Sequence, residues 1–236
     1  MCGGRGTRAY PHTLELPKAL LEVADRPVLL HVLELYASQG LTEFVLAAGF
    51  KHEAIAAFAL TVAPGWRVQV VDSGDDTATG SRVLRCLDRL GERFLVTYGD
   101  GLSDVDLRTL LAFHLHHGKA ATVTAVPMPS QFGALQLGDD DGVECFVEKP
   151  VLADHWINGG FFVFDRRAFD AWDGGDAACD LERDVLPALA EAGELFAYRH
   201  TGFWRSMDTY KDALELSRLA ADGRPPWTRS PAPASS

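Results

Sequence analysis

Apolar and polar positions along the chain switch between two periods, and the switches mark its elements. Residues Arg26 to Gly40 (RPVLLHVLELYASQG) set apolar side chains at helical spacing and stop on a glycine. Glu43 to Gly49 (EFVLAAG) is a short apolar run that reads as a buried strand, and His52 to Ala63 is again helical. The alternation continues with a strand over Arg67 to Ser73 and a helix over Thr79 to Leu90. A strand over Arg93 to Gly99, a helix over Asp106 to His117 and a strand over Ala120 to Pro127 follow. Strands alternating with helices predict an α/β fold with a mainly parallel, Rossmann-like sheet flanked by helices. Beyond Pro127 the rhythm changes. Gly133 to Pro150 reads as two strands around the turn Asp139-Asp140-Asp141-Gly142, a hairpin signal. Trp156 to Phe164 reads as one strand. Helices at about 180–193 and 208–221 bracket a strand from Leu195 to His200. The ending PPWTRSPAPASS, residues 225–236, has the composition of a disordered tail, so the domain is expected to span 1–224.

At 236 residues a substantial core can form. A formal net charge of −11 disfavours a nucleic-acid partner, which rewards basic proteins through counterion release. It does not exclude a phosphorylated small molecule, because local Lys, Arg and Mg²⁺ outweigh distant, screened charge. The four cysteines (Cys2, Cys86, Cys145, Cys179) lack CxxC spacing and read as reduced thiols. No apolar run reaches the roughly 18 residues of a membrane span, and no signal-peptide pattern is present. A cytoplasmic protein is expected.

Five short stretches could carry chemistry. The first is Cys2-Gly3-Gly4-Arg5-Gly6-Thr7-Arg8, where three glycines within four positions permit backbone amides to approach an anion. Arg8 and Lys18 add charge, and the alternative is a flexible leader. The second is Tyr98-Gly99-Asp100-Gly101 at a strand's carboxyl end, where ligands of open α/β sheets gather. Asp100 there either ligates Mg²⁺ or is a turn residue that caps the next helix. Third, Glu148-Lys149-Pro150 offers a hydroxyl acceptor and a phosphate ligand, or a solvated strand end. Fourth, Trp156-Ile157-Asn158-Gly159-Gly160 sets an amide suited to sugar hydroxyls beside paired glycines. Fifth, Asp208 in Met207-Asp208-Thr209 either caps the next helix or is a second metal carboxylate. The run His114-Leu115-His116-His117 is better read as a solvated helix face than a metal site.

Taken in order, the runs GGRGTR, LPKALLEV, VDSGDDTATGSR, FLVTYGDGLSDVD, FVEKP, WINGGFFVF and GFWRSMDT resemble the sugar-1-phosphate nucleotidylyltransferases. They are most similar to the glucose-1-phosphate cytidylyltransferase branch, over nearly the whole chain. The resemblance implies the nucleotide-diphospho-sugar transferase fold and an attack of a sugar-1-phosphate on the α-phosphorus of a nucleoside triphosphate, CTP by preference. It implies nucleotide contacts from Gly3, Gly4, Gly6, Thr7, Thr77, Thr79, Gly80, Arg82 and Gly99. Arg8, Lys18 and Asp100 would act in catalysis, and Asp100 with Asp208 would hold Mg²⁺. Glu148, Lys149, Asn158 and Gly159 would bind the sugar phosphate, within a sugar-binding portion of about 128–207. A homo-oligomer is expected. This chain departs from the pattern in three places. A strand of about five apolar residues is expected ahead of Gly3, so an apolar run upstream of Met1 is anticipated. The stretch between Lys51 and Val71 is short. Ala78 and Ser81 replace a Met and a Gly of the family's segment.

Overall fold

The computed structural model describes residues 1–172, 178–221 and 223–228. After three 3₁₀ turns comes a small ribbon, β1 (Glu22–Val23) and β2 (Arg26–Pro27). Then come α1 (Val28–Ala37), β3 (Glu43–Ala48), α2 (His52–Ala59), β4 (Arg67–Asp72), α3 (Thr79–Leu84), β5 (Arg93–Val96), β6 (Gly101–Ser103) and α4 (Leu107–His117). The second half runs β7 (Ala121–Pro129), β8 (Ala134–Leu137), β9 (Val143–Val147), β10 (Val151–Asn158), β11 (Phe162–Asp165), α5 (Leu186–Glu191), β12 (Leu195–Arg199), β13 (Trp204–Ser206) and α6 (Tyr210–Ala220).

The sheet is mixed, with most strands pointing one way. β3 and β4 pair in parallel, as do β7 and β12. β11 runs antiparallel to both β5 and β7, so those two share a direction. Met1 binds the β5 edge in a parallel pattern, its ammonium donating to Thr97 O at 2.7 Å and its carbonyl accepting from Gly99 N at 2.9 Å. On the other side Cys2 N donates to Ala47 O at 3.0 Å, just inside the end of β3. β3, β4, β5, β7 and β12 therefore all end at one edge of the molecule. β7 is buried on both faces through Ala121, Thr122, Thr124, Ala125 and Val126, as a central strand should be.

Among the described residues, Met1–Gly3 is the segment that bonds to the facing edges of β3 and β5. β3 is paired only on its β4 side and β5 only on its β11 side. Their facing edges line a trough of about 330 Å³ whose walls include Leu29, Leu33, Val83 and Phe94.

Helices form where the pattern predicts them, with identifiable ends. α1 buries Val28, Leu29, Val32, Leu33, Leu35 and Tyr36 and gives way to Gly40 at φ +90°. α4 is capped by Asp106, whose carboxylate accepts from Thr109 N at 2.9 Å. Other expectations need correction. The helix predicted from Thr79 stops at Leu84 and resumes only as a 3₁₀ turn, Leu87–Arg89. The strand predicted over 156–164 is two strands, interrupted at Gly159-Gly160. The helix at about 180–193 opens with a π turn, Leu181–Val185. His114 is not on a solvated face. It is 1 % exposed and hydrogen-bonded to Thr122 Oγ1 at 2.8 Å, because α4 packs that face on β7. Nor is residue 225 the start of a free tail. Trp227 is 2 % exposed, and its indole N–H donates to His31 Nδ1 at 3.3 Å. The rest of the expected tail lies outside the described residues.

Candidate functional site

The glycine loop leaves the paired segment Met1–Gly3 and crosses the carboxyl ends of the strands. Arg82, on α3, fixes it there. The guanidinium is 3 % exposed and donates to Gly3 O, Ala48 O, Gly74 O, Asp75 O and Ser73 Oγ at 2.6–3.2 Å. It ties the loop to the ends of β3 and β4. Gly3 is needed for this, since a Cβ there would stand 2.0 Å from Arg82 Nη1. Gly6 is needed for its backbone, at φ +60°. Arg82 was expected to contact the nucleotide. It lines the cleft, and both its Nη groups are engaged by the protein, which holds the loop.

The cleft beside the loop measures about 430 Å³. Gly3, Gly4, Gly6, Thr7, Arg8 and Lys18 line one wall, Thr77 and Thr79 another, and Gly99 and Asp100 its floor. Gly80 does not line it. A Cβ at Gly80 would meet Cys179 O and Sγ at 2.8 Å, so this glycine serves the packing of α3.

Asp100 and Asp208, 108 positions apart in sequence by their numbers, meet because β6 and β13 pair antiparallel with Gly101 opposite Ser206. Met207 N donates to Asp100 O at 2.9 Å. Lys18 Nζ lies between the two carboxylates, 2.7 Å from Asp100 Oδ2 and 2.8 Å from Asp208 Oδ1. Arg8 reaches Asp208 Oδ1 at 2.9 Å. Burial acts to raise the Asp208 carboxyl. The Lys18 hydrogen bond and charge, the charge of Arg8 and the Ser206 hydroxyl together outweigh it, holding the carboxyl below its ordinary range. The alternative readings of the two aspartates fall away. Thr209, not Asp208, caps α6, in a capping box with Asp212. Asp100 leads into a strand rather than a helix. Asp100 lines the cleft, and Asp208 stands behind it, joined through Lys18 and Arg8; two such carboxylates match the donor set of Mg²⁺, which takes one or two carboxylates plus phosphate oxygens. Among the described residues no cluster of three or more His, Cys, Asp and Glu could hold a metal by itself.

The sugar-side residues divide. Asn158 donates from Nδ2 to Tyr98 Oη at 3.2 Å, and Tyr98 lines the cleft. Gly159 is buried beside it, its carbonyl accepting from Trp204 Nε1 at 2.6 Å. Glu148 and Lys149 are not brought to the cleft wall. They follow β9, in a hairpin that among the described residues pairs with no other strand, and both are exposed.

Residues 1–223 match the family model described as nucleotidyl transferase. The chain belongs to that family. Within it, the protein is an enzyme of the sugar-1-phosphate nucleotidylyltransferase group. It is 36% identical over 249 residues to the probable glucose-1-phosphate cytidylyltransferase of Bacillus subtilis (strain 168), covering 96% of this chain and 97% of that one. It is also 36% identical over 252 residues to the glucose-1-phosphate cytidylyltransferase of Salmonella typhimurium, covering 96% of each. Among solved structures, a putative glucose-1-phosphate thymidylyltransferase from Bacillus anthracis superposes with a TM-score of 0.73 over 94% of this chain and 93% of its own, at 20% identity. That likeness shows the shared fold.

Three residues of this nucleotidyl transferase were missed by the sequence reading. Arg5 forms an ion pair with Asp76 at 3.0 Å, joining the glycine loop to the segment before Thr77. Tyr98 gives its hydroxyl to Glu182, and Glu182 also accepts from Thr79 Oγ1 at 2.6 Å. Tyr98 stands inside a quoted motif and could have been found there. Glu182 sits in a run, LERDV, that reads only as helix.

Proposed function

We propose that the protein transfers a cytidylyl group from CTP to glucose-1-phosphate, releasing pyrophosphate and a nucleotide sugar. One observation carries the reading: a single lysine ammonium, on the same cleft wall as the glycine loop, is shared by Asp100 on the floor and by Asp208. The 36% identity to the cytidylyltransferases supports the choice of nucleotide and sugar.

The reaction needs charge neutralisation and alignment more than covalent help. The acceptor's phosphate oxygen attacks the α-phosphorus in line with the departing pyrophosphate. Amides of Gly3, Gly4 and Gly6 cradle the β- and γ-phosphates, and Arg8, paired with Asp208 yet 71% exposed at its side chain, braces the leaving group. Lys18 offsets charge at the α-phosphate. Thr77 and Thr79 face the base, and Asn158 with Gly159 reads the sugar. Asp100 and Asp208 would hold Mg²⁺, which when bound neutralises and aligns the phosphates. Glu148 and Lys149 reach the acceptor only if the hairpin that carries them bends toward the cleft.

Leu135, Phe146 and Val147 lie exposed on that hairpin, which supports assembly of several copies of this chain. Sedimentation velocity would report the oligomer. Four unbridged cysteines and no described helix long and apolar enough to cross a membrane support a cytoplasmic setting.

The test is pyrophosphate release with CTP, UTP, dTTP, ATP and GTP against a panel of sugar-1-phosphates. CTP with glucose-1-phosphate should give the highest kcat/KM. A different winning pair would move the assignment of nucleotide or sugar, and no turnover with any pair would overturn the activity.

A further inference from the structure

Glu182 joins the two sides of the site through bonds whose direction is fixed. A carboxylate can only accept, and each hydroxyl has one proton. Thr79 spends its proton on Glu182 Oε2, while its oxygen accepts from Leu181 N at 2.9 Å. Tyr98 spends its proton on Glu182 Oε1. The phenol oxygen is left as an acceptor, and the group that must give to it is Asn158 Nδ2, at 3.2 Å. Independently, Gly160 N donates to Asn158 Oδ1 at 2.8 Å. Both constraints set the amide the same way round, leaving the second Nδ2 proton of an exposed side chain as a donor toward solvent. Glu182 is itself fixed by Asp180, whose Oδ1 accepts from Glu182 N at 3.0 Å and Arg183 N at 2.9 Å.

We propose that Glu182 is a positioning residue. Through Tyr98 it sets the orientation of the Asn158 amide, and so decides which pattern of sugar hydroxyls the site accepts. The proposal rests on the reading of Asn158 as a contact to the acceptor sugar. In Glu182→Gln, the amide N–H must face one of the two hydroxyls. Facing Tyr98, it turns the phenol proton toward Asn158, whose amide then inverts and loses Gly160. Facing Thr79, it places a second donor on an oxygen that already accepts from Leu181 N.

The experiment is steady-state kinetics of the full-length enzyme with CTP against glucose-1-phosphate and its galacto and manno epimers. Wild type, Glu182→Gln, Tyr98→Phe and the double variant are compared. If wild type turns over none of the three sugars, the acceptor reading fails before any variant is measured. Given turnover, each single variant should raise KM for glucose-1-phosphate about tenfold and reduce discrimination against the epimers. KM for CTP should stay within about twofold, and the double variant should match the singles. An unchanged sugar KM in Tyr98→Phe, or effects that multiply in the double variant, would overturn the relay. So would a fall in kcat alone. Tyr98→Phe keeps the test open if Glu182→Gln does not fold.

Discussion

Lys18 is the residue on which the site turns. Its ammonium is the counter-charge between two carboxylates, and its side chain is only 13% exposed. Lys18→Ala should lower kcat by about 10²-fold or more, because the stabilisation of developing charge is lost, and Asp100→Asn should do the same. Steady-state pyrophosphate release checks both. Lys18→Ala also has a stability signature. Asp208 is held below its ordinary value of 3.8, so its contribution is complete above that value and lost as pH falls through the folded value. Removing Lys18 removes the larger part of that contribution, so the stabilities of the two proteins should differ by a constant amount above about pH 4 and converge as pH falls below it. Arg82 is a different kind of residue. Arg82→Ala takes the guanidinium from four carbonyls, of which Gly3 O and Ala48 O keep backbone donors, and should cost about 3 kcal/mol in urea unfolding, with a weaker KM for CTP as the glycine loop loosens. Arg82→Lys should recover little, since one ammonium cannot span five acceptors.

At the scale of elements, α6 shows how a local signal is written into the chain. Thr209 Oγ1 accepts from Asp212 N at 3.2 Å, and Asp212 returns the bond to Thr209 N at 2.7 Å. Thr209→Ala should therefore destabilise the protein by about 1 kcal/mol, read as a drop in melting temperature. Such signals are why most of the fold was legible. Apolar period, glycine stops and Asp106 at the head of α4 all act within a few residues. The elements that escaped are those made by partners far away. β6 and β13 are three residues each and exist because they pair with one another, about a hundred positions apart. Yet that pair is what unites Asp100 with Asp208. The aspartates could be named from their motifs, while their shared contact with Lys18 could not be seen in sequence. Glu182 was invisible for the same reason, its partners Thr79 and Tyr98 lying more than eighty positions away. Lys149 errs in the opposite sense, since its motif is clear but its hairpin stands off from the cleft.

Over the whole molecule, buried imidazoles couple stability to pH. His31 lies 4 % exposed with Nε2 on Val23 O at 2.8 Å and Nδ1 receiving the Trp227 N–H. That pattern requires the neutral ring. Burial, the largest cause in each, lowers His31, His114 and His117 from 6.5. The unfolded chain thus takes up protons that the folded one refuses. Stability should be level above about pH 7 and decline as pH falls below 6.5, and His31→Gln should flatten part of that slope in a melting-temperature series. The same packing predicts that Trp227→Ala, though near the chain's end, costs about 3–5 kcal/mol by chemical unfolding.

The pairing of β6 with β13 has a consequence for isotope exchange. Three residues on each side hold both aspartates in place. β7, buried on both faces, gives up its amide protons only when the whole fold opens. So short a pair can open by itself. Deuterium should enter peptides covering residues 101–103 and 204–206 before those covering 121–126, and the site should come apart while the centre of the sheet holds.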